Sequence, residues 1–298
     1  MRRSVCARRA KKRSRALFGS LRLGARSDRM TANAALTFRR LHDGPDLLLL
    51  ANCWDAGSAR LFESLGARAL ATTSAGLAWS NGYPDGDAVP VECLVSAVRA
   101  IVRVIKVPLS IDVEGGYSEN PAVVGETIAA LIGVGAVGIN LEDGSASPEL
   151  LAAKIASVKS AAARAGVDLF VNARTDVYLK GLVPEPVRVT ETLARARRYK
   201  DAGADGLFVP KATDASDIRA IASSIGLPLN VLAWTKLPAA SALSSLGVRR
   251  LSVGSSIAQI AFGRAASVAG AFLREGRTEP LMDGAISFAE INALFAKR

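Results

Sequence analysis

"NPAVVGETIAALIGVGAVGINLED", residues 120–143, contains one whole structural unit. Its first part, "NPAVVGETIAALIGVG", has the Ala-rich amphipathic pattern of a helix, and its closing glycine suits the left-handed C-cap expected past a helix end. "AVGINLED" then reads as a short, apolar, β-rich run that ends in two acids.

The same order recurs along the chain. Strand candidates are "LLLLANC" (47–53), "ARALATTS" (67–74), "VPLSIDVE" (107–114), "AVGINLED" (136–143), "DLFVNARTD" (168–176), "ADGLFVPKA" (204–212), "LPLNVLAW" (227–234) and "VRRLSVGSS" (248–256). Helical patterns such as "AGSARLFESLG" and "VTETLARARRYKDAG" lie between them. Strands too apolar to be wet on either side specify a parallel sheet covered by helices. Eight such strands close a barrel, and a (β/α)8 barrel uses about 250 residues, which the 298 here accommodate. An open doubly wound sheet is the alternative, but no G-x-G-x-x-G follows the first strand.

After the last strand come "SIAQIAFGRAASVAGAFLREG" and "SFAEINALFAKR". The first is unusually apolar for a barrel's outer ring, so burial against a partner subunit is expected, in a homodimer or homotetramer with these helices exchanged. No run of 18 uncharged apolar residues occurs, and no membrane partner is expected. Cys6, Cys53 and Cys93 form no paired or metal-ligand spacing and fit a reducing compartment. Residues 1–30 carry eleven Lys or Arg against one acid, Asp28, a net of +10 within the chain's +11. The body is near neutral, so no specific nucleic-acid partner is expected. We read residues 1–30 as a basic disordered extension and 31–298 as a single barrel domain, cytoplasmic, with organelle targeting by the tail as the alternative.

Barrel active sites occupy the C-terminal ends of the strands. There the sequence places Thr73 and Ser74, then Asp85 and Asp87 in "AGLAWSNGYPDGD". Asp112 and Glu114 follow in "SIDVEGGYS", then Glu142 and Asp143, then Asn172, Arg174 and Asp176 in "NARTD", then Lys211 and Asn230. Positions two apart on a strand share a face, so Asp112 and Glu114 are expected to point one way. Like charges there need compensation. Mg2+ takes oxygen ligands and is held by one or two carboxylates plus substrate oxygens. Arg174 keeps its charge and offers a bidentate fork for a carboxylate or phosphate. Together they suit a 2-oxocarboxylate, whose developing charge the metal would stabilise. The plainer readings are a salt-bridge network of Asp112 and Glu114 with Arg174 and Lys211, helix caps at Asp143 and Asp176, a surface position for His42, and core or helix positions for Cys53 and Cys93. "GSS" after the last strand resembles a barrel phosphate site, although Gly-Ser is also common at helix starts.

These stretches, with "NCWDAGSARLFESLG", "YKDAGADGLFVP" and "LSVGSS", resemble the isocitrate lyase / phosphoenolpyruvate mutase superfamily over roughly residues 35–265, especially its short phosphonomutase-like members. The resemblance implies an Mg2+-binding (β/α)8 barrel working on 2-oxocarboxylate or enolpyruvate intermediates. It makes Asp112, Glu114 and Glu142 the metal set, with Asp112 the principal carboxylate. Glu114 stands where many members have Asp. Asp85, Arg174 and Glu142 become the catalytic candidates. Thr73, Ser74, Ala75, Arg174 and Asn230 become the substrate-binding candidates. The lyases' "KKCGH" lid has no counterpart: "LEDG" runs straight into "SASPELLAAKIASVK". The expected activity is Mg2+-dependent carbon–carbon cleavage of a small 2-oxo acid, as in methylisocitrate lyase or oxaloacetate decarboxylation. The alternatives are phosphonomutase chemistry or a barrel that binds a carboxylate without turnover.

Overall fold

The computed structural model describes residues 25–296. Nine strands form one all-parallel sheet: β1 (Leu48–Leu50), β2 (Asn52–Cys53), β3 (Leu70–Thr72), β4 (Leu109–Asp112), β5 (Gly138–Glu142), β6 (Phe170–Arg174), β7 (Gly206–Val209), β8 (Leu229–Leu232) and β9 (Val248–Ser252). Their lateral order is β1-β9-β8-β7-β6-β5-β4-β3-β2. The two end strands of that order, β1 and β2, are separated in the chain by Ala51 alone, so the sheet closes on itself as a barrel. The stretch expected as one first strand therefore changes neighbour midway. Leu48–Leu50 pair with β9, while Asn52 and Cys53 pair with β3.

Helices follow the strands: α1 (Ala25–Asp43) precedes β1, α2 (Ala56–Ser64) follows β2, and α3 (Ser74–Ser80) and α4 (Val91–Val102) follow β3. Then come α5 (Pro121–Gly133), α6 (Pro148–Arg164), α7 (Arg188–Asp201), α8 (Ala215–Ile225), α9 (Ala240–Ser245), α10 (Ser256–Glu275) and α11 (Phe288–Ala296). Local chemistry starts them where the sequence says. Asp55, Asn120, Ser147 and Asp214 each accept a backbone N–H at the starts of α2, α5, α6 and α8. Gly226 closes α8 in the left-handed conformation.

The barrel's N-terminal end is plugged from outside by α1. Phe38 is fully buried, its ring centroid 5.6 Å from that of Phe170 at the start of β6. A Cβ on Gly138 would lie 2.6 Å from Phe38 Cε1, so the first residue of β5 must be glycine for the plug to seat. His42 belongs to this floor, which corrects the expected surface position. It is 3% exposed and stacks on Phe170 at 4.1 Å, because α1 turns its apolar face into the barrel mouth. Residues 1–24, most of the expected basic extension, lie outside the described residues, and α1 begins within that extension at Ala25. Cys53 is buried in β2 and Cys93 is half-buried in α4, as expected.

α10 lies against the barrel by Ala258 alone among its side chains that are fully buried. By length and hydropathy it is also apolar enough to cross a membrane, although it carries Arg264, which pairs with Asp283 at 2.7 Å.

Candidate active site

The carboxylates gather where β3, β4, β5 and β6 end. β4 stops at Asp112, and Glu114 has left the strand, at a φ of +50°. Simple alternation therefore does not align the two. A left-handed turn does, placing the Glu114 N–H 3.4 Å from Asp112 Oδ1. Glu114 is buried and tied down: its Oε2 accepts from the amides of Gly86, at 2.7 Å, and of Asp87, and its Oε1 accepts from the Tyr117 hydroxyl at 3.3 Å. Asp87 in turn accepts from the Tyr117 amide at 3.1 Å. Glu114 is thus the clasp for the loop bearing Asp85 and Asp87. Asp85 is exposed on that loop, and its charge is felt at both Asp112 and Glu114.

Asp112 carries no ion pair among the described residues. Its carboxylate accepts backbone N–H groups from Ser74 and Glu114. Thr73 caps α3 through a long contact from the Gly76 amide, 3.5 Å, and Ala75 is buried behind it. Of the expected substrate-gripping trio, Ser74 thus presents its amide to the site while Thr73 and Ala75 shape the helix start.

Arg174 lies opposite and is already engaged. Its Nη1 is 2.6 Å from Glu142 Oε2, and its Nε and Nη2 donate to both oxygens of Asp176 at 2.7 and 3.1 Å. Asp176 is therefore an ion-pair partner and caps nothing. Nor does Asp143 cap a helix: it accepts from the Asp176 amide, Arg195 and the Tyr199 hydroxyl at 2.9, 2.9 and 2.6 Å.

Burial pushes the Glu142 carboxyl up to about 8, against the pull of Arg174 and with help from Asp112, Asp176 and Glu114. Burial likewise raises Glu114 to about 7 despite the Asp87 amide, and it raises Asp112 despite Arg174. The cluster is short of positive charge. Among the described residues no three His, Cys, Asp or Glu side chains form a ready protein-only metal cage. An all-oxygen set with one open carboxylate fits Mg2+, which keeps several waters and needs only one or two protein carboxylates. Asp112 would hold such an ion, with Glu142 and Glu114 facing its waters.

Two of the expected groups already have partners within the protein. Asn230 is fully buried beneath the site, accepting from Asn172 at 3.0 Å and donating to Ser252 Oγ at 3.1 Å, so it belongs to a polar layer inside the barrel. In the "GSS" turn the Gly254 amide donates to Asn52 Oδ1 at 3.0 Å, as does the preceding Val253 amide, and the Ser256 amide donates to the Val253 carbonyl at 3.3 Å.

Sequence reasoning missed Arg250. It is 1% exposed inside the barrel, donates to Asn140 Oδ1 at 3.0 Å, and leaves Nε and Nη1 without partners. Among the described residues no carboxylate pairs with it, and burial lowers its pKa to about 9 while Asp112 holds it up. The signal existed in "VRRLS", where alternation puts Val248, Arg250 and Ser252 on one face.

This geometry meets known proteins on three fronts. A solved Burkholderia cenocepacia protein whose phosphonomutase designation is provisional shares 42% identity and a TM-score of 0.76, covering 80% of this chain and 99% of that one. An uncharacterized Mycobacterium tuberculosis (H37Rv) protein is 37% identical over 74% of this chain and 82% of its own length. Oxaloacetate decarboxylase of Paraburkholderia xenovorans is 31% identical over 64% of this chain and 66% of its own length. The model of the phosphoenolpyruvate phosphomutase family matches residues 38–273, the span from the plug residue Phe38 through the whole barrel into α10. By fold, rim carboxylates and family match alike, the chain belongs to the phosphoenolpyruvate phosphomutase family, within the isocitrate lyase / phosphoenolpyruvate mutase superfamily.

Proposed function

We propose that the protein is an Mg2+-dependent enzyme that cleaves a carbon–carbon bond of a 2-oxocarboxylate, decarboxylation being the favoured form. The observation that carries it is the open Asp112 carboxylate facing the Glu142–Arg174 pair on a positively underfilled rim. Mg2+, when bound, supplies a Lewis acid for charge on the keto oxygen.

The chain's own residues do the rest. Arg174 meets the substrate carboxylate by exchanging one of its present acid partners for it, a trade its planar fork permits. Ser74 offers a backbone N–H at the helix start. Retro-aldol cleavage needs a base to take a hydroxyl proton, and the sequence holds neither the lid cysteine nor a histidine near this rim. Loss of CO2 from a 3-carboxy-2-oxo acid needs no base: the bond's electrons flow into the keto group, and the three-carbon product then takes one proton. Glu142, whose carboxyl pKa is raised by burial, is placed to supply it once Arg174 has turned from it to the substrate carboxylate. The likeness to an oxaloacetate decarboxylase supports the same choice.

We extend the proposal to assembly: α10 and α11 pack on a second copy of the chain.

The test is calorimetric titration of Mg2+ in the presence of oxalate, which carries the two chelating oxygens of such an acid, on wild type and Asp112→Asn. Asp112→Asn should weaken binding at least tenfold and abolish release of pyruvate from oxaloacetate while the barrel stays folded. Equal metal affinity in both proteins would sink the enzymatic reading.

A further inference from the structure

The rim is divided by charge. Asp85, Asp112, Glu114 and Glu142 follow β3, β4 and β5, while the loops after β6, β7 and β8 carry cations. Those three loops border an open cavity of about 530 Å3 lined by Tyr178, Lys180, Arg188, Lys211, Trp234 and Lys236. The one acid on its wall, Glu185, is taken by Arg188 at 3.3 Å, and the Arg188 guanidinium also lies 5.8 Å from the Tyr178 ring centroid. Lys211 and Lys236 have no ion-pair or hydrogen-bond partner among the described residues.

Three further features say that this is more than solvated surface. Lys211 and Lys236 both sit in the left-handed region, at φ of +66° and +68°. A side chain there costs conformational energy that glycine would avoid, and such strain concentrates at ligand-binding positions. Trp234 keeps 46% of its surface exposed at the cavity edge, an apolar plane left partly uncovered by the described residues. Lys180 joins the cavity to the carboxylate site: its Nζ is 3.8 Å from Asp176 Oδ2, and Asp176 holds Arg174. The two sites share a wall at the same end of the barrel.

We propose that this cavity receives the far end of the substrate: a phosphate or carboxylate held by Lys211 and Lys236, joined to the 2-oxo acid by a body lying on Trp234. The inference rests on the reading of the carboxylate site as one for a 2-oxo acid, and it makes the substrate longer than oxaloacetate. A lone carboxylate would leave most of the cavity empty, since pockets of about 300–1,000 Å3 bury ligands of drug size.

The test uses the full chain at 0.15 M NaCl without Mg2+, titrated calorimetrically with inorganic phosphate, succinate and phenyl phosphate. Wild type should bind phosphate or succinate, whichever group the cavity prefers, and the Lys211→Met/Lys236→Met protein at least tenfold more weakly at unchanged melting temperature. Phenyl phosphate should bind several-fold more tightly than inorganic phosphate, a gain that Trp234→Leu removes. Absence of anion binding, equal binding by the double variant, or no gain from the phenyl group would each overturn the proposal. Mg2+ with oxalate, run in parallel, should bind wild type and the double variant alike. Failure of that arm in wild type would instead count against the function proposed above.

Discussion

His42 brings a bare ring nitrogen into the barrel floor. Its Nδ1 donates to the Phe38 carbonyl at 2.8 Å, and its Nε2 has no partner. Burial first, then the charges of Arg250 and Arg39, push its pKa from 6.5 to about 3. Between those values the unfolded chain binds a proton that the folded chain refuses, so stability is lost as pH falls below about 6.5. Urea titrations at pH 7 and pH 5 should show wild type losing about 1–2 kcal/mol more than His42→Phe, which keeps the stacked ring. Equal losses would remove His42 from the acid response. The rim acids were legible in sequence because a charged residue at the end of an apolar strand has few uses. His42, Asn230 and Arg250 were not, because what they touch is fixed by which elements meet across the barrel. Glu114 falls between: its acidity could be read, but its task of clasping the loop through Gly86 and Asp87 depends on a backbone turn that no local pattern announces.

At the level of elements, the β–α alternation was legible throughout, because strand and helix each keep their own hydrophobic period. The division of the first strand at Ala51 was not, since it arises when one segment must serve two neighbours brought together by closure. The role of α1 was also hidden. Its Phe38 fills the floor against Phe170 and lies 5.9 Å from the Arg250 guanidinium. Phe38→Ala should cost about 3–5 kcal/mol in chemical denaturation, the range for a large buried aromatic. A chain started at Met30 retains Phe38 and His42, and its thermal melt and turnover should match those of the full protein. A large drop on that truncation would show that the basic segment belongs to the fold.

For the whole molecule, the consequence lies in what is left uncovered. Leu273 and Phe288 are 80% and 85% exposed, within an apolar surface running along α10 and α11. Exposed apolar surface of this kind is what a second copy would cover in the proposed assembly. Sedimentation at micromolar concentration should report a dimer or larger, and Leu273→Glu with Phe288→Glu should yield monomers with the barrel intact. A wild-type monomer would refute the assembly proposal.

The closure of the barrel also bears on how the chain is made. α1 and β1 leave the ribosome before the strands they need: the seat for α1 includes β5 and β6, and the partner of β1 is β9. Until β9 emerges the growing sheet keeps two unpaired edges and an unsealed floor. A prematurely terminated product would therefore be an open sheet prone to edge-to-edge association rather than a smaller barrel, because closure waits for the last strand.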